Sequence, residues 1–194
     1  MKDKLIFATG NPNKVRETGA ILKDYMEVIS MKDIGATEDI PETMPTLEGC
    51  ALQKARYLAE NYQVNCFSED TGLEVDTLDG APGVITARYA GPAKDANANM
   101  ALLLKNLGDN PNRGAQFRTI IALILDGEEH LFEGIVRGTI TRQKMGTGGF
   151  GYDPVFIPDG HSETFANLPA EIKNGISHRS RALAKLVAFL DSKK

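Results

Sequence analysis

AQFRTIIALILDGEEHLFEGIVRGTIT, residues 115–141, decides the fold. It predicts two long strands joined at Asp126-Gly127, a dipeptide suited to the positive φ angles of a tight hairpin turn. The first arm is apolar at consecutive positions from Ile120 to Leu125, so both of its faces need cover: helices on one side and more protein on the other.

Upstream, KLIFAT (4–9) is a short apolar run that stops at GNPN, where Asn11 can cap a helix with Pro12 at its first position, running to about Asp24. A second strand is expected over 25–30, a long acid- and proline-rich loop over 31–46, a helix over 47–61 and a strand over 64–68. A turn-rich segment follows, with Asp79-Gly80 and Pro82-Gly83, then a helix over 93–107 that ends at Gly108. The last helix should start near Ser177 and bury Leu183, Leu186, Val187 and Leu190. Strands and helices in mixed order, with no repeats and no linker, indicate an α/β fold with a mixed sheet in one domain over 1–194.

Composition narrows the function. A chain of 194 residues with 42% hydrophobic content can bury a core without staples. Its formal net charge of −4 argues against a general nucleic-acid or membrane surface, so any polyanion must be small and held locally. Cys50 and Cys66 lack metal or redox spacing and read as buried thiols of a reducing compartment. The N-terminal apolar run is too short for a secretory segment and nothing reaches transmembrane length, so the cytoplasm is the default.

Several cations sit where stability alone would not put them. Positions 47, 50, 51, 54 and 58 share one helical stripe occupied by Leu, Cys, Ala, Lys and Leu. Taken alone, Lys54 reads as a marginal residue that snorkels to water. Lys14 lies in the first turn of its helix, and His178, Arg179 and Arg181 open the last one. Cations there oppose the helix dipole by roughly 0.3–1 kcal/mol each, whereas a phosphate at the same place is favoured.

The acids complement them. SEDTGLEVD (68–76) follows an apolar strand, which sets Glu69, Asp70 and Thr71 at its carboxyl end, where α/β sheets hold ligands. Paired carboxylates beside a glycine suit Mg²⁺, one as the main ligand or base and the other in support; Glu42 in the long loop is a further candidate. Glu74 and Asp76 read as a solvated strand face, and His130 and His161 as surface residues. No nucleophile motif is present, which leaves metal-assisted attack by water. In GTGGFGYDP (146–154), the glycines would let backbone NH groups approach a ligand, with Phe150 or Tyr152 offering a face for a planar base.

TGNPNK (9–14), SEDTGL (68–73), APG with ARYAG (81–91), GTGGFGYDPVF (146–156) and SHR (177–179) together resemble the inosine triphosphate pyrophosphatase family. The likeness spans nearly the whole chain in the family's order. It implies an elongated mixed sheet flanked by helices, two lobes with a cleft that takes ITP, dITP and XTP, a Mg²⁺ requirement and a homodimer. The reaction would yield the nucleoside monophosphate and pyrophosphate. By position, Thr9, Gly10, Asn11, Pro12, Asn13 and Lys14 resemble the phosphate-binding turn, and Lys54 the phosphate-binding lysine. Asp70 resembles the general base and metal-linked acid, Glu42 a second metal-site acid, and Thr71 a residue beside the substrate. Phe150, Gly151, Tyr152 and Asp153 match the base-binding loop, and Lys173, His178 and Arg179 the purine-recognition corner. Glu69 stands where aspartate is also common, and Cys50 where asparagine is frequent. A nucleotide sensor would need the lysines without the acids, and a Maf-like pyrophosphatase for modified pyrimidines would lack the FGYD and SHR segments.

Overall fold

The structure, a computed structural model, describes residues 3–193, so the extreme ends of the expected domain lie outside the described residues. The chain runs β1 (Asp3–Phe7), α1 (Pro12–Leu22), β2 (Met26–Ser30), α2 (Leu47–Tyr62), β3 (Cys66–Val75), β4 (Pro82–Gly83), α3 (Ala96–Leu107), β5 (Gly114–Leu125), β6 (Glu128–Ile140), β7 (Phe156–Pro158), α4 (Ala170–Ile176) and α5 (His178–Ser192). The seven strands form one mixed sheet in the order β2-β1-β3-β5-β6-β7, with β4 paired to β3 off that path. β1 pairs in parallel with both β2 and β3, while β4 on β3 and β7 on β6 are antiparallel.

The hairpin forms where its sequence requires. Asp126 and Gly127 have φ of 51° and 83°, the paired positive values of a primed turn, whose twist matches that of the flanking strands. Ile120 to Ile124 are all buried, as an arm apolar on both faces demands. Asn11 caps α1 by accepting from the Asn13 amide, with Pro12 at the first helical position.

The chain divides into two compact units, the first comprising 1–70, 119–134 and 178–194 and the second 71–118 and 135–177. In unit 1, Leu5, Phe7, Phe67, Ile121, Leu123, Leu183 and Leu186 form the core, with Phe7 and Phe67 stacked at 4.3 Å. In unit 2, Leu73, Met100, Leu103, Phe117, Val136, Phe156 and Phe165 do the same. Both cysteines are buried and unbridged, and burial pushes the Cys66 thiol up to about 12, which leaves it inert at neutral pH.

Two expectations need correction. β3 does not stop at Ser68: it continues to Val75, so Glu69 and Asp70 lie inside the strand rather than at its carboxyl end. Adjacent acids look like a strand end, but here each meets a cation and the ladder carries on. The α3 start also moves, to Ala96, because Asp95 accepts from the Asn97 and Ala98 amides and caps the helix there.

Candidate active site

Unit 1 brings most of the expected charges together. Lys54, on the apolar stripe of α2, is only 6% exposed and does not snorkel to water. Its Nζ lies 2.7 Å from Glu42 Oε1 and 2.8 Å from Asp70 Oδ1. Burial would lower the Lys54 pKa, but Asp70 and Glu42 outweigh it and hold the ammonium charged above its usual range. Burial pushes the Asp70 carboxyl up against the pull of Lys54 and Lys14, with Glu42 adding to the rise.

The neighbouring carboxylate takes different partners. Glu69, 1% exposed, accepts a bidentate pair from Arg179, Nε to Oε2 at 2.8 Å and Nη2 to Oε1 at 2.7 Å. Lys14 Nζ stands 3.3 Å from the same Oε1, and Arg179 Nη1 donates to Glu17. Burial alone would raise the Glu69 pKa; Arg179 and Lys14 outweigh it and hold the carboxylate well below its usual range. Burial in turn draws Lys14 down, against the pull of Glu69.

Local sequence sets these positions. The first turn of α5 lies directly on β6 at Gly134, where a Cβ would come 2.0 Å from the His178 carbonyl oxygen and 2.5 Å from the Ala182 nitrogen. Any larger residue would push away the turn that carries His178 and Arg179, both buried. Arg181 points outward from the same turn and is exposed. In the turn before α1, Thr9 Oγ1 accepts from the Asn11 amide, while Gly10 and Pro12 are exposed. Asn13 accepts from Arg16.

In unit 2, Lys173 is 4% exposed with Nζ 2.6 Å from Asp153 Oδ2 and 5.0 Å from the Phe150 ring centroid. The Phe150 amide donates to the same Asp153 oxygen at 2.8 Å, and the Tyr152 hydroxyl donates to the Thr86 carbonyl at 2.9 Å. The glycine run has a reason the sequence did not disclose. A Cβ at Gly149, where φ is 68°, would sit 2.0 Å from Asp153 Oδ2, and one at Gly148 would sit 2.7 Å from the Ala166 carbonyl. Those glycines let the loop close on its own chain, whereas Gly151 has open space beside it. Thr71, half-buried, opens unit 2 next to Asp70 in sequence.

Sequence reasoning missed Glu17, whose signal was its place three residues after Lys14 on α1, hence on the same helix face. The Arg179 guanidinium, expected beside the purine, donates within the protein to Glu69 and Glu17. His130, expected at the surface, is partly covered, its ring 4.3 Å from that of Phe189.

A site of this kind can receive an anion: two ammonium groups are held, largely shielded from water, by carboxylates that a stronger anion would relieve. The sequence model of the Ham1 family matches residues 5–189. A dITP/XTP pyrophosphatase of Flavobacterium johnsoniae is 50% identical over 191 residues, covering 98% of this chain and 100% of that one. One from Porphyromonas gingivalis is 53% identical over 189 residues, covering 97% of each. The solved structure of the Staphylococcus aureus Ham1 protein superposes with a TM-score of 0.89 at 38% identity, covering 99% of this chain and 100% of that one.

Proposed function

Because the chain belongs to the Ham1 family, we propose that it hydrolyses non-canonical purine nucleoside triphosphates, dITP, XTP and ITP, to the monophosphate and pyrophosphate. The observation that carries this reading is the pairing of Lys14 and Lys54 with the adjacent acids Glu69 and Asp70 inside one strand.

Glu42 and Asp70 offer hard oxygen donors, and no group of three metal-ligating side chains occurs among the described residues. That donor set fits Mg²⁺, which takes one or two protein carboxylates and completes its shell with water and substrate oxygens. Held by Glu42 and Asp70, the ion would neutralise triphosphate charge. Lys54 and Lys14 turn from carboxylate to phosphate as substrate enters and offset the charge that builds on the leaving pyrophosphate. Asp70 takes the proton of the water that attacks the α-phosphorus, and the bond to the bridging oxygen of the β-phosphate breaks.

The residues from Thr9 to Asn13 support phosphate binding, and Thr71 lies beside the substrate. The purine falls to Phe150, Gly151, Tyr152, Asp153 and Lys173, with His178, while Arg179 orders Glu69 and Glu17. A 6-oxo purine offers an acceptor to such donors; the amino group of adenine leaves them unpaired, which costs orders of magnitude in rate. We place the enzyme in the cytoplasm as a homodimer, without nucleic-acid or membrane partners. No helix among the described residues is long and apolar enough to cross a membrane.

The test is a panel of ITP, XTP, dITP, GTP, ATP and UTP with Mg²⁺, assayed for pyrophosphate and orthophosphate. Pyrophosphate from the first three, with ATP cleaved at least a hundredfold more slowly, is expected; orthophosphate would mean attack at the γ-phosphorus and overturn the reading.

A further inference from the structure

Glu42 lies in a stretch from Gly35 to Thr46 that is neither helix nor strand, yet a metal-holding carboxylate must stand in a fixed place. Residues 42–44 are laid along one face of α2. Glu42 Oε1 accepts from Lys54 Nζ. Thr43 exchanges two hydrogen bonds with Gln53, its amide donating to Oε1 at 3.0 Å and its Oγ1 accepting from Nε2 at 2.9 Å. The Met44 carbonyl accepts from Cys50 Sγ at 3.2 Å, and a Cβ on Gly49 would come 2.8 Å from Met44 Cβ. Consecutive loop residues Glu42 and Thr43 are therefore held by consecutive helix residues Lys54 and Gln53.

The two holds differ in kind. An ammonium on a flexible stem is a point charge that can follow a carboxylate through a range of positions. The Gln53 amide is planar and engaged at both ends by one residue, which makes it directional. The Lys54 bond reaches only the end of the Glu42 side chain, whereas Gln53 fixes the adjacent peptide and reduces its freedom before a ligand arrives.

We propose that Gln53 is a positioning residue that sets the Glu42 carboxylate beside Lys54 and Asp70 for metal-nucleotide binding. This rests on the reading of Glu42 as a metal-holding acid. Nothing about Gln53 follows from ordinary helix composition, since it lies outside the apolar stripe at 47, 50, 51, 54 and 58 and is only half-buried.

The experiment compares Gln53→Leu, Glu42→Gln and the double variant with wild type. Two readouts are taken: the Mg²⁺ concentration giving half-maximal ITP hydrolysis, and Mn²⁺ binding followed by electron paramagnetic resonance with a non-hydrolysable α,β-imido analogue of ITP. Gln53→Leu is expected to raise both constants about tenfold, the usual effect of losing a partner that orients a ligand. In the Glu42→Gln background it should add less than twofold, because the residue it acts through is gone. Thr43→Val, which removes one of the two bonds and leaves the helix untouched, should shift both constants two- to threefold in the same direction; it decides the matter in both backgrounds if Gln53→Leu fails to fold. Unchanged constants in Gln53→Leu and Thr43→Val alongside raised constants in Glu42→Gln would overturn the positioning role and leave the reading of Glu42 standing. Equal effects in both backgrounds would also overturn it. Wild-type constants in Glu42→Gln would remove Glu42 from the metal site, and the proposal with it.

Discussion

Glu69 shows how a charge becomes tolerable in an interior. It is buried against Arg179 and Lys14, and replacing it with glutamine would leave Arg179 without its bidentate partner. Breaking one side of a buried pair costs about 3–5 kcal/mol, so Glu69→Gln should unfold at correspondingly lower urea. The pH dependence has a definite sign. A carboxylate whose folded pKa is depressed contributes stability above its unfolded value of about 4.3, and that contribution is lost progressively as pH falls towards the folded value. Urea midpoints of wild type should fall below about pH 4.3 more steeply than those of Glu69→Gln. Asp70→Asn removes the proposed base while keeping shape, and kcat should drop by about 10²–10⁴; near-normal turnover would remove Asp70 from the chemistry. The apolar stripe marked Lys54 as out of place, yet by itself it pointed to snorkelling, because the buried acids that hold the ammonium come from other elements. Glu17 and Gln53 carried no such mark, because an acid or an amide on a helix flank looks like any solvated residue until its partner is known.

At the scale of elements, the hairpin, the capped α1 and the lysine-bearing α2 were all legible, because periodicity and turn chemistry are local. The full length of β3 was not, since its acids continue the strand only by meeting cations from α1, α2 and α5. The approach of α5 to β6 at Gly134 was equally hidden, although a lone glycine within a strand is the usual sign of close backbone contact. Gly134→Ala forces a Cβ into the His178 carbonyl and should cost about 1–3 kcal/mol while lowering activity through Arg179. Gly19, inside α1 with nothing within 4 Å of an added Cβ, gives the opposite result. Gly19→Ala should stabilise by about 0.5–1 kcal/mol with kcat/KM unchanged. Melting curves of the two variants check both signs.

For the whole molecule, each unit has its own core, but β3, β5 and β6 each pass through both. Neither unit is a continuous segment that could be lost alone. Leu183→Ala in unit 1 and Leu103→Ala in unit 2 should therefore each lower one common melting transition, by about 2–5 kcal/mol in stability. Calorimetry that resolves two independent steps would contradict this. The pairs that make the site also span long stretches of chain: Arg179 meets Glu69 across 110 residues and Glu17 across 162. On the ribosome, the strand acid and the first helix emerge long before their guanidinium partner. Until α5 is made, Glu69 has Lys14 beside it but lacks the bidentate guanidinium, so this part of the interior is left with an incomplete set of charges. The site should thus become competent in one step, when α5 docks, rather than gaining activity as each earlier element appears.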